Sequence, residues 1–181
     1  VESSIHFNTR EGSRSMTIFG SIDRLDQVIL PPGPTIRVID YKTGNNNQMS
    51  VKNLGEIFSG KKLSNHTDYY LQAMLYACIV RNERDQEGKG IYNIHNLPVS
   101  PSLLFIQHAG KEVVPLKIGK ELITDIKKYE NENGDKNIDN FEENIRDLLS
   151  EIFDPEITLS ATEDTKQCDH CPYARLCCGK K

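Results

Sequence analysis

The chain has 181 residues, enough for one domain with a sizeable core, and its 37% hydrophobic and 27% charged residues are ordinary for a soluble globular protein. A formal net charge of −4 excludes a passive binder that holds nucleic acid by bulk positive charge, so any such contact has to be local. No apolar run approaches the roughly 18–20 residues of a membrane span, and no charged-then-apolar signal segment opens the chain, so a cytoplasmic location is the default.

The sequence starts at Val1 rather than Met, which reads as a fragment or a processed product. Val1–Phe7 and Ser15–Leu30 read as strands, rich in Ile, Val, Phe and Thr. Pro31-Pro32-Gly33-Pro34 is a strong turn signal. Thr35–Lys42 is a further strand, in which Ile36, Val38, Asp40 and Lys42 share one face by alternation. Thr43–Thr67 is polar and reads as a long loop with a short helix; loops of that length are uncommon unless functional.

Asp68–Arg84 is a helix, with Leu71, Met74, Leu75 and Cys78 at helical spacing and Thr67 available as its cap. Asp85–Asn96 is a polar loop, and Val99–His108 is a strand centred on Leu103, Leu104, Phe105 and Ile106. Gly119–Glu130 and Asn140–Phe153 read as helices, the second carrying Phe141, Ile145, Leu148, Leu149 and Ile152 on one side. Asp154–Lys181 is irregular. Strands early and helices late suggest an α+β layer, an α/β sandwich, rather than a regular βαβ winding. The expected organisation is one core over residues 1–160, with a cysteine-rich segment over 161–181 packed on the same domain.

Gly20-Ser-Ile-Asp-Arg-Leu-Asp26 is followed, across the proline-rich turn, by Val38-Ile-Asp-Tyr-Lys-Thr-Gly44. Three acids and a lysine thus fall on two strands joined as a hairpin. Paired carboxylates at strand ends suit a hard divalent cation such as magnesium. A lysine two residues past Asp40 points to the same face, where it can orient a water or stabilise developing negative charge. Register decides which acid joins Asp40. With Asp23 opposite Lys42, Asp23, Leu25, Asp40 and Lys42 share a face; with Asp26 opposite Asp40, Asp23 turns away. Each residue taken alone reads as a solvated strand residue in a surface ion pair. Asp40 and Lys42 resist that reading, because they continue the face that Ile36 and Val38 bury.

The order Gly-x-x-Asp-Arg-x-Asp, then a hydrophobic strand ending Asp-Tyr-Lys-Thr-Gly, then a helix with Gln-x-x-x-Tyr at Gln72 and Tyr76, resembles RecB-type nuclease domains of the PD-(D/E)XK superfamily. Its AddB-like branch, found in helicase–nuclease repair proteins, is the most similar. The resemblance runs from about Gly20 to the C-terminus. It implies a restriction-endonuclease-like core, with a central mixed sheet flanked by helices. It also implies metal ligation by Asp23 and Asp40, which selects the first register, and by the backbone carbonyl of Tyr41. Lys42 would be the catalytic lysine, with Gln72 and Tyr76 close to the site. The implied cofactor is Mg2+ or Mn2+, and the implied substrate is DNA. Family members often carry a histidine on a helix well before the Gly-x-x-Asp motif. Here only His6 precedes it, too close and in a strand, so that role is not transferred and the missing helix is expected upstream of Val1.

Cys168, Cys171 and Cys177 are separated by two and five residues, and such clusters ligate zinc or iron–sulfur centres. In the AddB-like nucleases that this segment resembles, three late cysteines join one upstream of the nuclease motifs to hold a [4Fe–4S] cluster. That upstream cysteine is not in this sequence. Cys78 reads as a small core residue, and Cys178 is awkwardly adjacent to Cys177. Three readings stand: a cluster complete only in the full-length protein, a zinc site drawing on His170, or plain thiols.

Lys52, Lys61, Lys62 and His66 lie in the long loop and are candidates for phosphate contacts, against the reading of solvated charges. Tyr69 and Tyr70 could stack on bases, though helix packing is the safer expectation. The leading expectation is a metal-dependent DNA nuclease, the nuclease module of a larger repair or recombination protein that works with a helicase domain or subunit. The alternatives are a nuclease-like module that binds DNA or a helicase without cutting, and a small metal-stapled interaction domain.

Overall fold

The computed structural model describes residues 1–31, 33–43, 51–59, 66–108, 113–129, 140–158, 160, 168–169 and 171–178. Strands β1 (Glu2–Thr9) and β2 (Gly12–Phe19) form an antiparallel hairpin. The main sheet has β3 (Arg24–Leu30), β4 (Gly33–Lys42), β5 (Val99–Phe105) and β6 (Val114–Pro115) in that order. Pairing is antiparallel for β3/β4 and β5/β6 and parallel for β4/β5, so the sheet is mixed. A parallel pair needs a crossover. Between β4 and β5 the chain forms α1 (Gly55–Phe58) and α2 (Thr67–Asn82), and α2 packs on both strands. A small hairpin of β7 (Lys117–Ile118) and β8 (Glu121–Leu122) follows, then α3 (Phe141–Phe153) against β1, and α4 (Ala174–Cys178). The α+β architecture expected from the sequence is the one found.

Helix α2 runs 16 residues without Gly or Pro, and it encloses Tyr70, Ala73, Met74, Ala77, Cys78 and Val80. These pack with Val38, Val99, Leu103 and Phe105 of the sheet and with Phe141, Ile145 and Leu149 of α3 in one core. Burial pushes the Tyr70 phenol up, although a backbone bond with Lys117 works against the shift. Cys78 is a buried core residue, as its spacing predicts.

Several expected boundaries move. The segment Ser15–Leu30 is not one strand: β2 ends at Phe19, and residues 20–23 separate it from β3. Val1 and Gly20 close the base of the first hairpin with reciprocal backbone bonds of 2.7 and 2.9 Å. Thr67 is buried inside α2 instead of capping it; His66 takes the cap position and makes no side-chain cap bond. The helix expected over Gly119–Glu130 is absent. Gly119 turns at φ 61°, which favours glycine, and reverses the chain into β8. The Asp125 carboxylate then accepts from Val99 N and Lys127 N, and only the 3-10 turn Ile126–Tyr129 remains helical. Strand β5 likewise gives way to a 3-10 turn at Ile106, which is exposed rather than buried. Asn140 caps α3 by accepting from Glu143 N, as a helix start there requires. Ile152, expected on the buried side of α3, is half exposed. Among the described residues no helix is long and apolar enough to cross a membrane.

The β3/β4 register follows from the tightness of the turn. Leu30 pairs with Gly33, so only two residues separate the strands, and Gly33 adopts φ 149°, a conformation suited to glycine. Asp26 therefore sits opposite Arg37. The Arg37 guanidinium grips both Asp26 oxygens at 2.8 and 2.9 Å, and Arg24 adds a contact at 2.8 Å. The hydrogen bond from Arg37, ahead of opposing desolvation, holds the Asp26 carboxyl below its ordinary value. A lowered carboxyl pKa stabilises the fold above the unfolded value, and that contribution is lost as pH falls through the folded value. Asp26→Asn should cost about 1–3 kcal/mol at pH 7. Urea denaturation of both proteins across pH should show the difference shrinking below about pH 4.

Candidate active site

Strand β4 is central in the sheet, and its end faces the start of α2. Val38 is fully buried, and Asp40 continues its face with only 5% of its surface exposed. A carboxylate in such a place costs several kcal/mol unless it is paired. Its Oδ2 lies 2.5 Å from Lys42 Nζ, the partner that strand alternation brings to the same face. That contact lacks hydrogen-bond alignment, and Oδ2 is one of two buried side-chain oxygens among the described residues without a hydrogen-bond partner, the other being Ser102 Oγ. An anionic oxygen in that state has capacity for a cation.

Asp23 enters from the other strand. Neither register weighed from the sequence is the one adopted. The last ladder pair is Arg24 with Ile39, so Asp23 falls just beyond it, across from Asp40. This is a two-residue shift from the pairing of Asp23 with Lys42, and an even shift preserves the face. Asp23 is exposed, and its Oδ2 accepts from Tyr41 N–H at 2.7 Å. The bond ties the loop before β3 to the end of β4 and leaves Asp23 Oδ1 for another partner. Asp26 is spent on Arg37 and stays out of the site.

Helix α2 supplies the remaining groups. Lys42 Nζ donates to Gln72 Oε1 at 2.8 Å. An ammonium only donates, so the amide must present its oxygen. Gln72 Nε2 points to the Tyr76 hydroxyl at 3.5 Å, one turn further along the helix. The Tyr76 ring packs on Gly20, where a Cβ atom would sit 2.4 Å from the hydroxyl oxygen. Space for that ring is thus a reason for the glycine that opens the Gly-x-x-Asp segment. Contacts thus link Asp40, Lys42, Gln72 and Tyr76 in sequence, and Asp23 joins through the backbone of Tyr41.

Among the described residues, no contact links Lys52 or Cys168, Cys171 and Cys177 to this chain of contacts. Lys52 is exposed, with its backbone N–H bonded to Glu56, while Lys61 and Lys62 lie outside the described residues. Cys168 is buried, Cys171 and Cys177 are exposed, and neither they nor Cys78 form disulfides. Among the described residues no group of three or more His, Cys, Asp or Glu side chains is placed to hold a metal ion, these cysteines included. His170 lies outside the described residues. The contact of Lys42 with the ring of Tyr69, 4.3 Å from Nζ to the centroid, was not foreseen. Its only sequence signal is the three-residue spacing from Tyr69 to Gln72.

The site thus joins Asp40 and Lys42 at the carboxyl end of central strand β4, Asp23 across from Asp40, and the crossover helix α2. The family model described as the PD-(D/E)XK nuclease superfamily matches residues 1–178. The chain belongs to this superfamily. Its sheet and helices are accordingly a restriction-endonuclease-like fold. No curated protein and no solved structure matches the chain.

Gly20→Ala should displace the Tyr76 ring, at a cost of about 1–3 kcal/mol. Combining it with Tyr76→Leu, which clears the space, should recover part of the lost melting temperature. A Gly20→Ala protein that melts like the wild type would remove the steric account of this glycine.

Proposed function

We propose that this chain is a divalent-metal-dependent DNA nuclease that hydrolyses phosphodiesters with Asp23 and Asp40 as ligands and Lys42 as the catalytic lysine. The observation that carries the reading is the buried Asp40 oxygen without a hydrogen-bond partner, 2.5 Å from a lysine, within a nuclease superfamily fold. Carboxylate oxygens are the donors that Mg2+ or Mn2+ prefers, and the Tyr41 carbonyl would add a third. A cation bound there supplies Lewis acidity and a water of lowered pKa.

The chain's own groups do the rest. Asp40, fixed on a central strand, sets the position of the metal end of the site. Asp23 keeps one oxygen on the Tyr41 amide, which leaves the other for a cation. The Lys42 ammonium, held by Gln72, orients a water and offsets charge building on the phosphate oxygens. Tyr76 and Gly20 support Gln72 from the far side. Lys52, Lys61 and Lys62 would meet the DNA backbone, which suits a protein whose overall charge repels it.

The finer reading is a RecB- or AddB-like nuclease domain working beside a helicase in DNA repair. It rests on the order of Gly20, Asp23, Asp40, Lys42, Gln72 and Tyr76 along the chain. Cys168, Cys171 and Cys177 would serve an iron–sulfur cluster only with a fourth ligand from outside that trio.

Asp40→Asn keeps the side chain's shape and removes its charge. It should lower Mg2+-dependent cleavage of a DNA substrate at least about a hundredfold while far-UV circular dichroism stays unchanged. Undiminished cleavage by this variant would overturn the assignment of the site. DNA binding without cleavage by the wild type, in both Mg2+ and Mn2+, would identify a binding module instead.

A further inference from the structure

Lys42 sits among three partners: Asp40 Oδ2 at 2.5 Å, Gln72 Oε1 at 2.8 Å, and the face of the Tyr69 ring at 4.3 Å. The three differ in what they do to an ammonium. A carboxylate neutralises it, and any other cation competes with it for that carboxylate. An amide oxygen takes one N–H. A ring face attracts the charge through its quadrupole and takes neither the proton nor a lone-pair position. The ring itself is fixed. His66 stacks on Tyr69 with centroids 4.6 Å apart and planes 13° from parallel. His66 adopts φ 54°, one of two positive-φ residues other than glycine among the described residues. Side chains enter that conformation at a cost, and here it brings the imidazole over the first turn of α2.

We propose that Tyr69 is a positioning residue that holds the Lys42 ammonium in place through its ring face, and that His66 fixes the ring. The inference rests on the nuclease reading for its kinetic consequence and on the contact alone for its spectroscopic one. When a cation occupies the Asp40 carboxylate, Lys42 shares its anionic partner. Gln72 and the Tyr69 face are then what keep the ammonium from swinging toward solvent. The spacing is suited to this: Tyr69, Gln72 and Tyr76 follow one another at three and four residues, on one stripe of α2. The neighbouring Tyr70 faces the core and is 2% exposed, so only Tyr69 can serve. With the ring occupied by His66 and Lys42, stacking on a nucleic-acid base is not the role this geometry favours.

The test uses the full chain. Proton NMR should show the Lys42 side-chain methylene protons moved upfield by the ring in the wild type. The shift should persist in Tyr69→Phe and vanish in Tyr69→Leu. In Mg2+-dependent cleavage, Tyr69→Leu should lower kcat about tenfold, the scale of a desolvated cation–π contact, with KM unchanged. Tyr69→Phe should stay within about twofold, because the face and not the hydroxyl acts. Loss in Phe equal to that in Leu would overturn the proposal. So would unshifted Lys42 protons in the wild type, a result that does not depend on whether Tyr69→Leu folds. A wild type that cleaves nothing would overturn the nuclease reading, while the Lys42 shift and its dependence on Tyr69 would still decide the contact.

Discussion

An aspartate and a lysine on the same face of a buried strand constrain everything else in this molecule. Strand β4 has neighbours on both sides, so Asp40 is enclosed where an apolar residue would be cheaper. A carboxylate held there needs positive charge, and Lys42, two residues on, is the nearest source. The pair is unequal in its surroundings. The lysine finds an amide and a ring as well, whereas Asp40 Oδ2 finds no aligned donor. That asymmetry is the physical basis on which a cation site at Asp40 and a charge-stabilising role for Lys42 are proposed.

The rest of the fold is the apparatus that keeps this pair in register with its helpers. The parallel pairing of β4 with β5 forces a crossover, and the crossover brings α2 across the carboxyl end of β4. In open sheets ligands bind outside the carboxyl ends of strands because connections leave a crevice there. Helix α2 then lays Tyr69, Gln72 and Tyr76 toward that end. The first hairpin closes the back of the arrangement: its base pairs Val1 with Gly20, and Gly20 supplies the space that the Tyr76 ring fills.

Much of this was legible in the sequence, and the reasons for the exceptions are physical. The shared face of Asp40 and Lys42 follows from strand period alone, and Gln72 and Tyr76 follow from helical period once α2 is recognised. The side that Asp23 takes needed the family resemblance, because hairpin register depends on turn length, which composition does not fix. The helix wrongly expected over residues 119–130 shows the same weakness. Its apolar residues Ile123 and Ile126 are both fully buried at helix-like spacing, but a glycine at positive φ and the side-chain bonds of Asp125 decide the backbone. The Tyr69–Lys42 contact was out of reach, since it joins a helix residue to a strand residue by packing that neither period specifies.

Two aspartates, Asp23 and Asp26, compete for the place beside Asp40 and Lys42, and strand parity sorts them. Asp23 lies across from Asp40, and Asp26, three positions on, faces the other side. What stabilises that outcome against a one-residue slip is Arg37, whose guanidinium takes both oxygens of Asp26 and whose pairing lowers that carboxyl's pKa. A slip would bring Asp26 to the site, strip Arg37 of its partner and turn Asp23 to the other face. The ion pair on one face of the hairpin therefore helps decide which acid serves the other face. The bond from Tyr41 N–H to Asp23 completes the choice by tying the exposed acid to the backbone beside Asp40.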